Sequence, residues 1–522
     1  MGVNTKSFDN ASDMITFSRA SGAYGFTKVS YGSELVSNGD FSDGSTGWNL
    51  NPTTGTMEVV NGKLVATNAT AVGGQAFTNL LSGYAIGTPY EISFTVSDYV
   101  SGTVRLSVGN TYSGYVSSNG TFNFVIPYTS GLPRVYFSIG NTSLSIDNIS
   151  VKEVLYNSSD PSATLKLIYH PNDVPRIEYN VDGSAKGILI EEARTNLVTY
   201  SEDLSTWYAS VTVTDNSVTS PAQLQNASTL TSYSSGTSYG IDRGGITVTA
   251  GDHTLSAYFK ANGFNYGKLT WYSAANSTQY AVFNLATGEV HGGIYDDAGI
   301  QDVGNGWYRC HITTSLNATS SGGGYAWISD GTLGRSSGVT GDGIKGIHAY
   351  GIQLEAGSFP TSYIKTTGAT ATRAVDVASI GVSNFGYNQT EGTLFVDFKT
   401  PDTANANALE LGNSASSSRY IIRNGLAYYS ASGLGAQVVL GYTASTNNQR
   451  VGFAVQSNDA VAVVNGSTVG TDNTVTLFSN PTILGIGARA YNLATEKLNG
   501  HIKSIQYYPR RLTDAQLQEL TT

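Results

Sequence analysis

The chain has 522 residues and a formal net charge of −10, with 38 acidic residues against 28 lysines and arginines. Charged residues make up only 13% and hydrophobic residues 40%, with 60 glycines, 33 tyrosines and 12 prolines. That apolar content excludes a disordered chain, the lack of a long Lys/Arg cluster excludes nucleic-acid binding, and the single cysteine, Cys310, excludes an intrachain disulfide or a thiolate zinc site.

Tyr, Val and Thr favour strands, and Gly and Asn favour tight turns, so the chain reads as all-β. Its length predicts about three or four domains. The start, Met1 to Asn10, is polar, with no apolar leader and with Lys6 where a myristoylation pattern needs Ser or Thr. No apolar run approaches the ~18 residues of a membrane-spanning helix. Synthesis in a cytoplasm is expected, with any extracellular role reached by a route other than a signal peptide.

Short runs with a period of two then recur along the chain. Tyr90, Ile92, Phe94 and Val96 alternate with polar residues. So do Val104, Leu106 and Val108, then Val135, Phe137 and Ile139, then Leu255, Ala257 and Phe259. Two long segments follow one plan. The first opens Glu34-Leu-Val-Ser-Asn-Gly-Asp-Phe-Ser42, carries Trp48, and closes at Ser145-Ile-Asp-Asn-Ile-Ser-Val-Lys-Glu153. The second opens Asn196-Leu-Val-Thr-Tyr-Ser-Glu-Asp-Leu-Ser205, carries Trp207, and closes at Ile347-His-Ala-Tyr-Gly-Ile-Gln-Leu-Glu355. First and last strands of a sandwich pair, so each opening is expected to meet its own closing strand. Further on, Glu391–Phe398 reads as a strand and Asn465-Gly466 as a hairpin turn. A helix is predicted over Asp514–Leu520, with Thr513 as N-cap, Gln516 at the capping-box position and Leu512 facing Leu517 as a hydrophobic staple.

Three resemblances arise from these strings. The Asn-Gly-Asp-Phe opening, early Trp and Ile-Asp-Asn-Ile-Ser-Val closing of residues 34–153 resemble the galactose-binding-like jelly rolls of carbohydrate-binding modules; residues 196–356 match more loosely. Residues 388–520 resemble a concanavalin-like, laminin-G-like sandwich through the ending Gly500-His-Ile and Tyr508-Pro-Arg-Arg-Leu-Thr513. The strings Thr16-Phe-Ser-Arg-Ala-Ser-Gly22, Pro175-Arg-Ile-Glu-Tyr179, Gly187-Ile-Leu-Ile-Glu-Glu-Ala-Arg-Thr-Asn-Leu197, Pro360-Thr-Ser-Tyr-Ile364 and Thr372-Arg-Ala-Val-Asp376 resemble those of phage tail-fibre and related virion proteins.

The resemblances imply four parts. A small linking β unit is expected from 1–30 continued at 156–195, an inserted jelly roll over 31–155, a second jelly roll over 196–372, and a concanavalin-like sandwich over 373–522. They imply a non-enzymatic phage virion protein, a tail fibre or capsid-surface decoration, that packs against other virion proteins and attaches to host-surface glycan. A homotrimer is expected from the high Tyr content, the low charge and the likeness to fibres. The alternative is a virion-associated polysaccharide depolymerase or glycosidase.

Gly334-Arg-Ser-Ser-Gly338 fits a nucleophile-elbow pattern, but its Ser/Gly-rich surroundings lack the strand and helix that an elbow at Ser336 needs. No E-x-D-x-x-E array occurs in 388–520; Asp397 stands alone there, and Glu191 and Glu192, being adjacent, would face opposite sides of a strand. A buried ion pair with Arg194 or Arg19, or plain solvation, is expected for them. The six histidines are scattered, and His348 and His501 read as satisfied strand residues. The jelly-roll resemblance implies a structural calcium held by Asn38, Asp40 and Asp147, against the simpler reading of an Asx turn. Sugar rings stack on aromatic faces with polar donors beside them. Tyr112, Tyr115, Tyr239, Trp271, Tyr272 and Tyr428 are the candidates, while Trp48, Trp207 and Trp307 read as core anchors.

Overall fold

Strands dominate a computed structural model of the chain, with 58% of residues in strands and 3% in helix. It describes residues 14–522 except 72–75, 79–83, 274–278, 405, 414–417, 431–436 and 478–479. The polar start, Met1 to Asn10, and the first part of the expected linking unit lie outside the described residues. No described helix is long and apolar enough to cross a membrane. The chain divides into two compact units. One is Lys28–Leu165 with Tyr169–Pro171; the other holds the described residues of Met1–Thr27, Lys166–Ile168 and Asn172–Thr522.

The first unit is an antiparallel jelly roll built on two long bent strands, Pro89–Val108 and Val135–Tyr156, which pair along most of their length with register shifts where they bend. The alternating apolar sets point inward: Tyr90, Ile92, Phe94, Val96, Val104, Leu106, Val108, Val135, Phe137 and Ile139 are all buried in one core with Trp48. The opening loop meets the closing strand as expected. Leu35 N–H donates to the Val151 carbonyl at 3.0 Å, and Ile149 N–H to the Gly39 carbonyl at 2.9 Å. Gly39 must be glycine, because a Cβ there would lie 1.9 Å from the Ile149 carbonyl oxygen.

The second unit contains two sandwiches. Its jelly roll stacks two antiparallel sheets, each of six described strands. One runs through Gly240–Val248, Ser320–Ser329 and Tyr266–Ser273, the other through Gln225–Thr231, Gly346–Ala356, Gly251–Asn262 and Trp307–Leu316. Leu255, Ala257 and Phe259 lie in its core with Trp207, Trp271 and Cys310. Its opening and closing repeat the plan of the first unit: Leu197 N–H donates to the Leu354 carbonyl at 2.7 Å, and Ile352 N–H to the Ser201 carbonyl at 3.0 Å.

The C-terminal sandwich has two sheets of seven described strands each. The turn at Asn465-Gly466 has positive φ at both residues (48° and 79°), as a tight hairpin of this kind requires. The helix Asp514–Thr521 begins with a complete capping box between Thr513 and Gln516, and Leu512 and Leu517 pack with Ala454, Val461 and Val463.

Among the described residues of the expected linking unit, Ala23–Tyr31 lies between Thr164–His170 and Val135–Tyr156 in one sheet, and three further strands join the C-terminal sandwich. Thr16–Ser18 pairs with Val377–Gly381 at the edge of one sheet of this sandwich. Ile177–Tyr179 and Ala185–Ile190 extend the other sheet through Gly500–Tyr508. Ile177, Ile188 and Ile190 are thereby buried in the C-terminal core, which two such short pairs could not supply alone.

Candidate functional site

The residues of the fibre-like strings converge in the second unit on one buried ionic knot. Arg176 donates to Glu191 Oε2 at 2.7 Å and to Asp376 Oδ2 at 2.5 Å; Arg19 reaches Asp376 Oδ1 at 3.2 Å, and Arg373 reaches Glu191 Oε2 at 3.5 Å. Ser362 gives Glu191 two further hydrogen bonds, from its N–H at 2.8 Å and its Oγ at 2.7 Å. Burial alone would raise the Glu191 carboxyl, but Arg373 and Arg176 overcome it and hold the group well below the usual carboxylate range. The side chains of all five charged residues are at most 5% exposed. Three arginines beside two carboxylates have the look of an anion-binding centre, but no substrate could reach them. The knot ties the Thr16–Ser18, 172–191, 357–366 and 371–376 segments together. It also corrects the expected partners of Glu191, which are Arg176 and Arg373, whereas Glu192 does pair with Arg194, from Nε, at 2.6 Å.

The remaining chemical motifs are held by hydrogen bonds of their own. Residues 334–338 form a turn whose carbonyls at Gly334, Arg335 and Ser337 accept from Lys268 Nζ at 3.2, 3.4 and 2.5 Å. Ser336 therefore sits in a tethered loop without the strand–turn–helix geometry of an elbow. His501 bonds Glu178 at 2.9 Å and His348 bonds Thr229 at 3.0 Å. Asp397 accepts from Asn448 at 2.8 Å. One acid escaped the sequence reading. Glu410, on Asn407–Gly412, is 1% exposed, its Oε2 has no hydrogen-bond partner, and burial raises its pKa against the pull of Arg419 and Arg489.

Asn38, Asp40 and Asp147, the residues expected to hold calcium, each bond within their own turn. Asn38 turns its amide N–H groups to the Gly44 and Thr46 carbonyls, both at 2.9 Å, and its Oδ1 accepts from Asp43 N–H at 3.0 Å. Asp40 is taken up by Ser42 at 2.9 Å, and Asp147 by the N–H of Asn148 at 2.6 Å. In both aspartates the bonded oxygen is Oδ1. Among the described residues, no group of three or more His, Cys, Asp or Glu side chains could hold a metal.

Several aromatic rings stay open to solvent. In the first unit, Val104, Leu106 and Val108 face the core, so Arg105 and Ser107 take the opposite face of the strand, where Ser107 is itself covered and Arg105 is half-buried. The Arg105 guanidinium lies 3.9 Å from the ring centre of Tyr112 and 4.4 Å from that of Tyr115. These two rings are 45% and 60% exposed. On the neighbouring strand Tyr136 and Ser138 share this outward face, paired with Ser107 and Arg105. Tyr136 packs on Phe77 at 5.8 Å, and Arg134 lies 4.4 Å over the Phe77 ring.

The second unit has a comparable face on its jelly roll. Tyr325 and Trp327 pack edge to face at 5.7 Å, Tyr239 adds to Trp327 at 5.2 Å, and Arg335 lies 5.0 Å over Tyr272. Lys268 caps Trp327 at 4.6 Å, and burial lowers its pKa to about 8. On the C-terminal sandwich, Arg419 lies 5.4 Å over Tyr428. Of the six aromatic candidates, Trp271 must be withdrawn. It is 1% exposed in the core, because on the strand Tyr266–Ser273 it shares the inward parity of Leu269, while Tyr272 takes the outward one. Arg105, Arg134, Tyr136, Tyr325 and Trp327 escaped the sequence reading, although the alternation of Val104, Leu106 and Val108 already places Arg105 outward.

No family model matches this chain, and no curated protein matches it. Among solved structures, domain 4 of a GH43 extracellular arabinanase from Geobacillus stearothermophilus aligns at 11% identity over 32% of this chain and 82% of its own, with a TM-score of 0.24. The N-terminal CBM22 tandem domain of a Paenibacillus barcinonensis protein aligns at 14% over 62% and 98%, with a TM-score of 0.21. A Trypanosoma rangeli sialidase aligns at 10% over 88% and 81%, with a TM-score of 0.23. Likenesses of this size carry no weight for what this chain binds or does.

Proposed function

We propose that this chain is a non-enzymatic, glycan-binding structural protein of a bacteriophage particle. The observation that carries the binding role is the guanidinium of Arg105 held between the exposed rings of Tyr112 and Tyr115. Aromatic faces take the CH faces of pyranose rings, and a fixed donor beside them sets orientation. The Tyr325–Trp327 and Tyr428 faces are further places of the same chemistry. The virion assignment rests on the resemblance of the fibre-like strings, whose charged residues serve cohesion rather than chemistry. On this reading the protein is released with the particle, packs against other virion proteins, and assembles as a homotrimer.

Polysaccharide cleavage is the second reading, and Glu410 is the acid it would call on, since burial raises its pKa in the direction a general acid needs; at 1% exposure it is as closed to a polymer as the ionic knot. Incubating the full chain with host-surface polysaccharide and assaying reducing ends separates the two. A binder yields none, and new reducing ends that disappear in Glu410→Gln would establish the hydrolase. Imaging particles that carry the labelled chain tests the virion assignment; particles free of label would refute it.

A further inference from the structure

The charge on the Tyr112–Tyr115 face narrows the class of glycan. Residues 99–146 contain two charged side chains, Arg105 and Arg134, and no acid; residues 59–90 contain Lys63 alone. Lys63 is engaged elsewhere, with Ser97 and Asp98. In a chain of net charge −10, the stretches 59–90 and 99–146 that carry this face therefore bring cations and rings without a carboxylate; the acids of the same strands, Glu91, Asp98, Asp147 and Glu153, lie outside them.

Both guanidiniums are held but not neutralised. Each lies over aromatic rings, and among the described residues neither has an ion-pair or hydrogen-bond partner for its side chain; Nε of each is buried and unpartnered. Ring stacking covers a flat face of a guanidinium and leaves its edges, where the N–H donors lie, so with Nε buried the terminal Nη groups are the ones left to bond a ligand. Arginine cannot accept a hydrogen bond, so this face offers strong donors with no strong acceptor beside them. A neutral sugar presents hydroxyls, which are best recognised by a mixture of donors and carboxylate or amide acceptors. A carboxylate-bearing sugar presents the acceptors that this face lacks, and its charge makes the hydrogen bonds roughly twice as strong as neutral ones. Arg134 immediately precedes the strand Val135–Tyr156 and is four residues from Ser138, the partner of Arg105, so the two anchors are separated by roughly 13 Å at ~3.3 Å per residue. That spacing suits repeated charges on a chain rather than one sugar.

We propose that this face binds an anionic polysaccharide, with Arg105 and Arg134 taking carboxylates of sugar units whose rings lie against Tyr112, Tyr115 and Tyr136. This rests on the glycan-binding reading above. The test is an array of polygalacturonate, polysialate and hyaluronate, each beside its carboxyl-reduced form, with neutral glucans and galactans, probed with the full chain at two salt concentrations. The acidic polymers are expected to be retained, with affinity falling about tenfold or more on carboxyl reduction, as loss of a charged hydrogen bond implies, and falling also with salt. Arg105→Gln and Arg134→Gln should each weaken retention by about tenfold with an unchanged melting temperature, and Arg105→Lys should recover only part of it. Equal binding of carboxyl-reduced polymers or of the neutral glycans would overturn the anionic assignment and leave the glycan-binding reading standing. Unchanged binding by both arginine variants would overturn this face as the site. Retention of no polymer on the array would overturn the glycan-binding reading itself.

Discussion

Arg176 and Asp376 are 200 residues apart in the chain, and their side chains meet at 2.5 Å with no exposure to solvent. Removing one partner of such a pair strands the other charge in a dry site, which costs roughly 3–5 kcal/mol. Arg176→Ala and Asp376→Ala should therefore lower the melting temperature of the full chain sharply, and each alone should do most of the damage of the double variant. Additive losses in a double-mutant cycle would contradict the shared knot.

Acid should unpick the same region. Burial would raise the Glu178 carboxyl, but the hydrogen bond and charge of His501 reverse this and bring its pKa from 4.5 to about 2. A folded-state pKa below the unfolded one means stability that is complete above the unfolded value and lost as pH falls towards the folded one. Melting temperature should thus decline between pH 4.5 and about 2. Glu178→Gln should start lower at neutral pH and decline less across that window; a parallel decline would remove Glu178 from the account.

The two jelly rolls share a hook that the sequence only hints at. The indole N–H of Trp48 donates to the Asn38 carbonyl at 3.0 Å, and that of Trp207 to the Tyr200 carbonyl at 2.8 Å. Trp48→Phe and Trp207→Phe should each destabilise the chain by about 1 kcal/mol for the lost hydrogen bond, with a further packing term. Gly39→Ala should cost more than either, because the added Cβ meets the Ile149 backbone. A neutral Gly39→Ala would show that the opening loop is not seated there.

Much of this architecture was legible because period-two alternation and capping are local. Tyr90 through Val96, Leu255 through Phe259, the Asn465-Gly466 turn and the Thr513–Gln516 box stand where their spacing places them. What was not legible depends on distant pairing. Nothing near Ile188 indicates that Ile502 will be its neighbour, and nothing near Glu191 indicates that Arg373 will reach it. Composition marks Trp271 and Tyr272 alike as ring candidates, and only strand parity, which turns adjacent residues to opposite faces, separates the buried one from the exposed one.

Calcium gives a simple outcome. With Asn38, Asp40 and Asp147 each bonded within its own turn, chelator should leave the melting temperature of the full chain unchanged, and Asp147→Asn should shift it little. A chelator-dependent drop abolished by Asp147→Asn would restore the ion to the opening loop.

The central claim is that exposed rings around Arg105 bind glycan, and the most direct measurement is retention of the full chain on a broad glycan array, wild type against a Tyr112→Ala, Tyr115→Ala double variant. Each lost ring contact is worth about 0.5–1.5 kcal/mol beyond its buried area, so the double variant should lose at least about tenfold in affinity for whatever the wild type retains, at an unchanged melting temperature. A wild type that retains no glycan, or a double variant that binds as the wild type does, would contradict it.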